Sequence, residues 1–221
     1  EVDEISIDVL TRERDAAWHR FLDQATILSE QRTQASARLS ATVTASMAEL
    51  GMRGGHFEIS VLRGEESAAS VQGLDRVEFL VSTNPGQPSQ ALAKIASGGE
   101  LSRISLCIQV ATAECAAIPT LVFDEVDVGI GGAVAEIVGR LLRSLGEKRQ
   151  VLCVTHLPQV AAQAHHHLRV RKENRDGQTY THIARLDPEA RVEEIARMLG
   201  GTTITEKTMA HAREMIERAA A

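Results

Sequence analysis

The 221-residue sequence contains few aromatic residues and has no excess of positive charge. Aromatic residues make up 3% of it, with one Trp and one Tyr, so a core has to be built from Leu, Ile, Val and Ala. The formal net charge is −6. This argues against a generally basic nucleic-acid-binding protein, because neutralising phosphates requires an excess of Lys and Arg. Contact with DNA would have to come from a local basic patch or from a partner.

Paired cysteines and long apolar runs are also missing. The three cysteines, Cys107, Cys115 and Cys153, form no C-x-x-C pair and lie in apolar contexts, which favours buried thiols in a reducing compartment. No apolar run reaches membrane-spanning length and no signal peptide opens the chain, so we expect no membrane partner and a cytoplasmic location. The sequence begins without Met in the middle of a helical pattern, and we therefore expect a fragment of a longer protein.

One long helix is predicted for residues 3–50. Apolar residues recur every three or four positions from Trp18 onward, Arg32 interrupts this seam, and the segment contains no Pro or Gly. Two interpretations are open: a single amphipathic helix packed on a globular domain, or the base of a coiled-coil arm whose partner helix lies outside this chain. The domain prediction is an arm base at 1–50 followed by a globular part at 51–221.

The globular part is predicted to be an α/β structure. The run from residue 120 to residue 155 has strand–helix–strand spacing, which predicts a right-handed crossover and a parallel pair. Both strands of this pair are so apolar that we expect them to be buried. The predicted elements are strands at 56–62 and 76–82 (an antiparallel pair), a helix at 97–117, a strand at 120–124, a helix at 133–145, a strand at 150–155, a hairpin of 168–172 with 179–186, and helices at 188–199 and 205–220.

A capping-box pattern stands at the start of the predicted central helix. Ser97 precedes Gly98 and Gly99, and Glu100 follows three residues after the serine. The Ser97 hydroxyl should accept a backbone N–H of the first turn while the Glu100 carboxylate reaches back. The two glycines leave the helix start open, where backbone N–H groups and the helix dipole favour an anion such as phosphate.

Ionisable side chains follow both strands of the predicted parallel pair. Asp124 and Glu125 come directly after one strand, and His156 comes after the other. Because the carboxyl ends of parallel strands meet at one edge of a sheet, we expect these side chains to lie close together. The set is typical of nucleotide hydrolysis, which needs an acid for Mg²⁺, a carboxylate that acts on water, and a polar group near the γ-phosphate.

These motifs resemble those of ABC-type ATPases. SGGELSR at 97–103 resembles the signature motif, TLVFDE at 120–125 the Walker B strand with its catalytic glutamate, VD at 126–127 the start of the D-loop, and VTH at 154–156 the switch-histidine loop. Longer stretches resemble the bacterial RecN family of DNA-repair proteins, which belongs to the group that includes SMC proteins and Rad50. They are TNPGQP at 83–88, ASGGELSR at 96–103, FDEVDVGI at 123–130, VTHLPQVA at 154–161 and EIARMLGG at 194–201.

The resemblance implies a role for each motif residue. Asp124 would hold Mg²⁺, Glu125 would act catalytically on the attacking water, and His156 would contact the γ-phosphate. The remaining motif residues would bind the nucleotide that is sandwiched between two heads, and Asp127 would also lie at the seam between the heads. These residues are Ser97, Gly98, Gly99, Glu100 and Asp127. The function implied is ATP hydrolysis in recombinational repair of DNA double-strand breaks at the bacterial nucleoid, with ATP and Mg²⁺ as cofactors.

One motif of the family is absent. The sequence contains no G-x-x-x-x-G-K-[ST] phosphate loop, which RecN-like proteins carry in the N-terminal half of the head. The chain therefore resembles the C-terminal half, and we expect it to be inactive alone. Its expected partners are the N-terminal half of the same head, a second head in an ATP-bound homodimer, and DNA. The alternatives are a transporter subunit, against which the long helix argues, and a non-catalytic tethering protein, against which Asp124 and Glu125 argue.

Three basic features have no assigned role. Arg103 could form a local salt bridge or meet nucleotide across a dimer. The histidines at 165–167 are predicted in a strand, where neighbours point to opposite faces, so we expect no metal site there. Arg169, Arg171 and Lys172 are more typical of a solvated strand face than of a basic patch.

Overall fold

The computed structural model of the chain describes residues 2–113, 115, 118–175, 177–201 and 203–220. The chain forms two compact units. The first consists of residues up to 45 together with 55–94, and the second consists of 46–54 together with the chain from residue 95 onward. The predicted domain boundary at residue 50 stays a prediction. No helix in the described part of the chain is long and apolar enough to cross a membrane.

The first unit combines most of one long helix with a small antiparallel sheet. Helix α1 runs from Val2 to Glu49, which confirms the predicted helix at 3–50. The sheet has the order β1-β2-β3, and β1 and β2 are the predicted antiparallel pair. The third strand is two residues long, too short to leave a pattern in the sequence. The strands are β1 (His56–Arg63), β2 (Asp75–Ser82) and β3 (Gln90–Ala91).

Helix α1 satisfies backbone groups along the edge strand β1. The Phe57 N–H donates to Thr44 Oγ1 at 3.0 Å, and that hydroxyl donates to the Phe57 carbonyl at 3.2 Å. The Ile59 N–H donates to Ser40 Oγ at 3.0 Å. An edge strand otherwise presents unpaired backbone groups, so the small polar residues on this face of α1 replace a neighbouring strand.

The interruption of the apolar seam at Arg32 has a structural reason. Its Nη1 lies 2.9 Å from Oδ2 of Asp75, whose side chain is 1% exposed. Ser29 Oγ donates to the other oxygen of the same carboxylate at 2.8 Å. A buried carboxylate has to be paired, and α1 supplies both partners.

The second unit contains the predicted parallel strand pair with helices around it. Strands β4 and β5 pair in parallel, with Phe123 opposite Cys153, and β6 and β7 form the predicted hairpin. Both pairings were predicted. The elements are α2 (Gly98–Ala111), β4 (Thr120–Phe123), α3 (Gly132–Gly146), β5 (Gln150–Cys153), α4 (Pro158–Ala161), β6 (Leu168–Arg175), β7 (Gln178–Arg185), α5 (Pro188–Gly200) and α6 (Glu206–Ala220).

Buried apolar residues of α2, α3 and β4 form the interior of this unit around the parallel pair. A second buried cluster joins α4, α5 and α6 through small residues. The first group includes Ile104, Leu106, Phe123, Val138 and Leu142, and the second Ala161, Ala162, Ile195, Ala196 and Ala212.

Two expectations about α2 and the parallel strands were wrong. Helix α2 ends at Ala111 rather than near residue 117. Directly after its end, the Thr112 hydroxyl donates to the Ile108 carbonyl at 2.7 Å. Residues 116 and 117 lie outside the described part of the chain. The parallel strands are not fully buried, because helices of this unit cover only one of their faces. The side chains on the open face are Val122, 67% exposed, Leu152, 45% exposed, and Val154, 63% exposed.

Two expectations about single side chains also need correction. The histidines at 165–167 precede strand β6 rather than lying in it, so the argument from alternating strand faces does not apply to them. The three thiols are not all buried. Cys107 is buried, Cys153 is partly buried and Cys115 is exposed.

Candidate functional site

The start of α2 is capped by Ser97. Its backbone is extended, with φ of −87°, and its hydroxyl accepts the Glu100 N–H at 3.3 Å. This confirms the serine half of the predicted capping box. Among the hydrogen bonds of the described residues, none joins the Glu100 carboxylate to the Ser97 N–H. Ser97 and Gly98 are exposed while Gly99 is buried, so the helix start is open on one side.

The acidic pair follows β4 in an unusual backbone conformation. Among the described residues, Glu125 is the one residue other than glycine with a positive φ, at 59°. Its N–H donates to Asp124 Oδ1 at 3.0 Å. A left-handed backbone costs a residue with a side chain about 1–2 kcal/mol, and such strain concentrates at functional positions.

Glu125 and the start of α2 meet directly. A methyl group in place of a hydrogen on Gly98 would overlap Glu125 Oε2. The carboxylate therefore lies against the first residue of α2, and only glycine leaves room for it. The structure thus brings the capped helix start and the acidic pair together, although Gly98 and Glu125 are 27 positions apart in the sequence.

Two side chains of α2 reach the segment that contains Glu125. Ser102 Oγ donates to the Asp124 carbonyl at 2.8 Å, and Arg103 Nη1 donates to the Val128 carbonyl at 2.7 Å. Arg103 is 7% exposed. Burial lowers the pKa of its guanidinium, which neighbouring Glu100 partly offsets. Within this chain the direct partner of Arg103 is a backbone carbonyl rather than a carboxylate. A contact with nucleotide across a dimer stays a prediction.

Asp127 joins the loops that follow the two parallel strands. Its side chain is 2% exposed, and its Oδ2 accepts the Thr155 hydroxyl and the His156 N–H, the latter at 3.1 Å. The same oxygen lies 3.4 Å from His156 Nδ1, while the imidazole is 69% exposed. The carboxylate is therefore used inside the chain. The prediction that Asp127 lies at a seam between two heads stays a prediction.

Negative charge at this edge of the sheet affects Cys153. Burial raises the pKa of the Cys153 thiol to about 12, and the nearby Asp127 and Asp124 carboxylates add to the shift. The thiol therefore stays protonated at neutral pH and is not a nucleophile. The Asp124 and Asp127 carboxylates therefore both lie near the end of β5.

The other basic features lie apart from this arrangement. Arg169 Nη1 lies 3.6 Å from Glu194 Oε2, so it is not simply solvated, whereas Arg171 and Lys172 are exposed. In the described ranges, no group of three or more His, Cys, Asp and Glu side chains is placed to hold a metal ion. His166 Nδ1 lies 3.0 Å from an Arg185 nitrogen.

Sequence reasoning missed the supporting contacts of Ser102, Arg103 and Thr155. Two of these residues had a visible signal, because Ser102 and Arg103 are neighbouring polar residues in a helix that is apolar over much of its surface. Polar side chains in such a helix require buried partners. Thr155 gave no such signal, since a threonine at the end of a strand is ordinary.

Comparison with known proteins identifies the family. No family model matches the sequence. A DNA repair protein RecN from Xylella fastidiosa is 51% identical over 214 residues, which cover 97% of this chain and 38% of that protein. RecN of Vibrio cholerae is 50% identical over 95% of this chain and 38% of its own length, and RecN of Streptomyces coelicolor is 41% identical over 96% of this chain and 39% of its length. The chain belongs to the RecN family.

The RecN relatives are much longer than this chain. It spans about two fifths of their length and matches their C-terminal portion. Solved structures similar to it include an Smc head domain with an extended coiled coil, bound to the C-terminal domain of ScpA, from Pyrococcus furiosus. That likeness has a TM-score of 0.56 at 18% identity and covers 89% of this chain and 45% of the other.

A second similar structure is the Smc head domain with a coiled coil and joint from Pyrococcus yayanosii. The TM-score is 0.53 at 19% identity, over 75% of this chain and 29% of that one. The fold of this RecN-family chain is therefore the α/β C-terminal lobe of an ABC-type head, with a long N-terminal helix.

Proposed function

We propose that this chain is the C-terminal half of the head of an ATP-hydrolysing, SMC-like protein that acts in recombinational repair of DNA double-strand breaks. One observation carries the proposal: the capped helix start at Ser97, the Asp124–Glu125 pair and His156 gather around the carboxyl ends of a parallel strand pair. RecN relatives support a role in DNA repair rather than in transport. The expected location is the cytoplasm, at the bacterial nucleoid.

Each side chain has a chemical task in this proposal. Glu125 accepts a proton from the attacking water, since its carboxylate is exposed at the open edge of the sheet. His156 presents its exposed imidazole to the γ-phosphate, while Asp127 holds the opposite side of the ring. Positioning and electrostatic stabilisation are the main contributions that a protein makes to phosphoryl transfer.

Asp124 fits the metal role that the family implies. Mg²⁺ is usually bound by one or two carboxylates together with water and phosphate oxygens, rather than by a closed cage of protein ligands. Asp124 is exposed, and its Oδ1 accepts the Glu125 N–H, which fixes the orientation of the carboxylate. Asp124 is thus the residue that would hold the ion. When bound, Mg²⁺ would neutralise negative charge on the phosphates.

The start of α2 supplies the contact with a second head. The Ser97 hydroxyl and the backbone N–H groups of Gly98 and Gly99 would bind the γ-phosphate of ATP held by that head, and Glu100, whose N–H is held in the cap by Ser97, would lie beside them. A helix start favours an anion because its N–H groups lack partners in the helix. Two heads would then enclose two nucleotides, with the loop at Asp127 at the seam.

The N-terminal half of the same head is the other expected partner. The uncovered face of β4 and β5 presents apolar side chains that a further layer would bury. The phosphate loop, which this sequence lacks, would come from that half. We therefore expect the chain alone to hydrolyse no ATP, and DNA to be bound only by the assembled protein.

The test compares two substitutions in the full-length protein. Glu125→Gln keeps the size of the side chain but removes the base, so ATP turnover should fall by about 10²–10⁴-fold while ATP binding is retained. Glu136→Gln is the matched control, because Glu136 lies exposed on α3 in an ion pair with Arg140. Turnover is measured by phosphate release and binding by equilibrium titration with a fluorescent ATP analogue.

Two results would contradict the proposal. If Glu125→Gln turns over ATP as fast as Glu136→Gln, Glu125 is not the base. If this chain, purified alone, shows tight Mg²⁺-dependent turnover that Glu125→Gln abolishes, the nucleotide is held by residues other than those proposed.

A further inference from the structure

We propose that Ser102 and Arg103 are positioning residues, which together clamp the backbone on both sides of Glu125 and so set the direction of its carboxylate. The inference that this clamp affects turnover rests on the function proposed above. The clamp itself is a property of the chain and is tested separately.

The two hydrogen bonds flank the glutamate. Ser102 Oγ holds the carbonyl of Asp124, which is the peptide group directly before Glu125. Arg103 Nη1 holds the carbonyl of Val128, three residues after it. The turn between these points is closed by the Val128 N–H, which donates to the Glu125 carbonyl at 3.2 Å. Adjacent residues of one helix therefore fix both ends of a single short turn.

The Asp127 side chain ties the middle of this turn to the loop after β5, but the backbone that follows the turn is glycine-rich. The chain beyond Val128 continues with Gly129, at φ of 75°, and reaches Gly131 just before α3 begins at Gly132. Glycine-rich backbone has many accessible conformations, so it does not resist relaxation of its neighbours. Glu125, at φ of 59°, would tend to leave the left-handed region unless other contacts hold it there.

The Arg103 contact lies in a tightly packed, water-poor place. A methyl group on Gly99 would lie 3.0 Å from the Val128 oxygen and 3.4 Å from Arg103 Nη1. The guanidinium is almost fully buried, and its Nε has no hydrogen-bond partner among the described residues. A charged donor shielded from water makes a strong hydrogen bond. Burying an arginine with one unsatisfied nitrogen costs free energy. The hydrogen bond from Arg103 to the Val128 carbonyl is a contact that accounts for this burial.

The clamp connects two parts of the proposed site. Helix α2 begins at the residues proposed to receive the nucleotide of a second head, and its next turn holds the backbone around Glu125. A displacement of α2 would therefore move both clamped carbonyls with it. The glutamate would keep its orientation relative to the helix start, against which its Oε2 already lies at Gly98.

Hydrogen exchange in this chain tests the clamp. Ser102→Ala and Arg103→Met each remove one bond, and each should speed exchange of the Glu125 and Val128 amide protons about tenfold. Ser102→Thr restores a hydroxyl and should return exchange to the wild-type rate. Arg140→Met is the control, since Arg140 is an exposed arginine of α3. Exchange is followed by NMR, and circular dichroism confirms that each variant is folded.

Turnover in the full-length protein gives the second readout. Ser102→Ala should lower kcat by about tenfold and leave KM for ATP unchanged, because the base is misdirected while nucleotide contacts are intact. Unchanged exchange at Glu125 and Val128 in Ser102→Ala and in Arg103→Met overturns the clamp, whatever happens to turnover. Faster exchange with unchanged kcat leaves the clamp standing and counts instead against Glu125 as the base.

Discussion

Replacing Glu125 by glycine separates the demands of function from those of stability. The φ of Glu125 is 59°, which costs a residue with a side chain about 1–2 kcal/mol and costs glycine almost nothing. Glycine also removes the carboxylate that lies beside Gly98. The greater conformational freedom of glycine in the unfolded chain lowers the free energy of unfolding by about 0.5–1 kcal/mol. We expect a net gain of about 0.5–1 kcal/mol in the free energy of unfolding, or roughly 1–4 °C in Tm for a chain of this size.

Glu147 provides a matched control for the same chemical change. It is an exposed glutamate directly after α3, with φ of −68° and ψ of −30°. Its backbone is right-handed, so glycine relieves no strain there and only adds freedom to the unfolded chain. Glu147→Gly should lower the free energy of unfolding by about 0.5–1 kcal/mol. Thermal unfolding of the three chains, followed by circular dichroism at one pH and concentration, measures both changes.

The two variants are expected to shift Tm in opposite directions. If Glu125→Gly lowers Tm by as much as Glu147→Gly does, the left-handed backbone at Glu125 stores no strain and the reasoning fails. In the full-length protein, Glu125→Gly should also be inactive, because it lacks the proposed base. A variant that is more stable but inactive would show that Glu125 is retained at a cost in stability, as is common at functional positions.

Three further predictions concern the buried ion pair and the thiols. Arg32→Met leaves the buried Asp75 carboxylate with Ser29 as its partner and should lower the free energy of unfolding, measured in urea, by about 2 kcal/mol. The double variant Arg32→Met with Asp75→Leu should lose less stability than Arg32→Met alone. An equal or larger loss in the double variant would speak against a buried ion pair. Burial raises the pKa of Cys107 and Cys153 to about 12, so at pH 8 a disulfide reagent should label only the exposed Cys115 quickly, with Cys115→Ser as the control. Unfolded thiols ionise near the ordinary value of 9.0 while the folded ones stay protonated until about 12, so stability should fall as pH rises between these values, and a flat profile would contradict the shifts.

Local patterns predicted much of this structure. The helix at Val2–Glu49 follows from periodicity and the absence of Pro and Gly, and the cap at Ser97 follows from side-chain chemistry three residues apart. The edge position of Asp124 and His156 follows from the rule that parallel strands end together. Each of these features depends on residues within one element or one strand–helix–strand crossover, so the local sequence pattern is enough to predict it.

Features that depend on distant partners were not predictable in the same way. Arg32 looked like an interruption of a seam, because its partner Asp75 is 43 residues away. The burial of the parallel strands was overestimated, since burial depends on a second layer that this unit does not supply. The left-handed backbone of Glu125 had no signal at all, because that conformation is expected at glycine, and glycine follows only at Gly129.

In the proposed site, exposure separates the groups proposed to react from the groups that hold them. His156 is 69% exposed, and Asp124 and Glu125 are exposed as well, whereas Asp127 and Arg103 are almost fully buried. Groups fixed by buried partners do not have to reorganise when substrate binds, which is the condition for effective electrostatic catalysis. The exposed carboxylates and imidazole still face water, and hydrogen bonds and charges act strongly only once water is excluded. In the proposed function, this chain supplies the orientation of these groups, and the N-terminal half and the second head would supply the cover and the phosphate cradle.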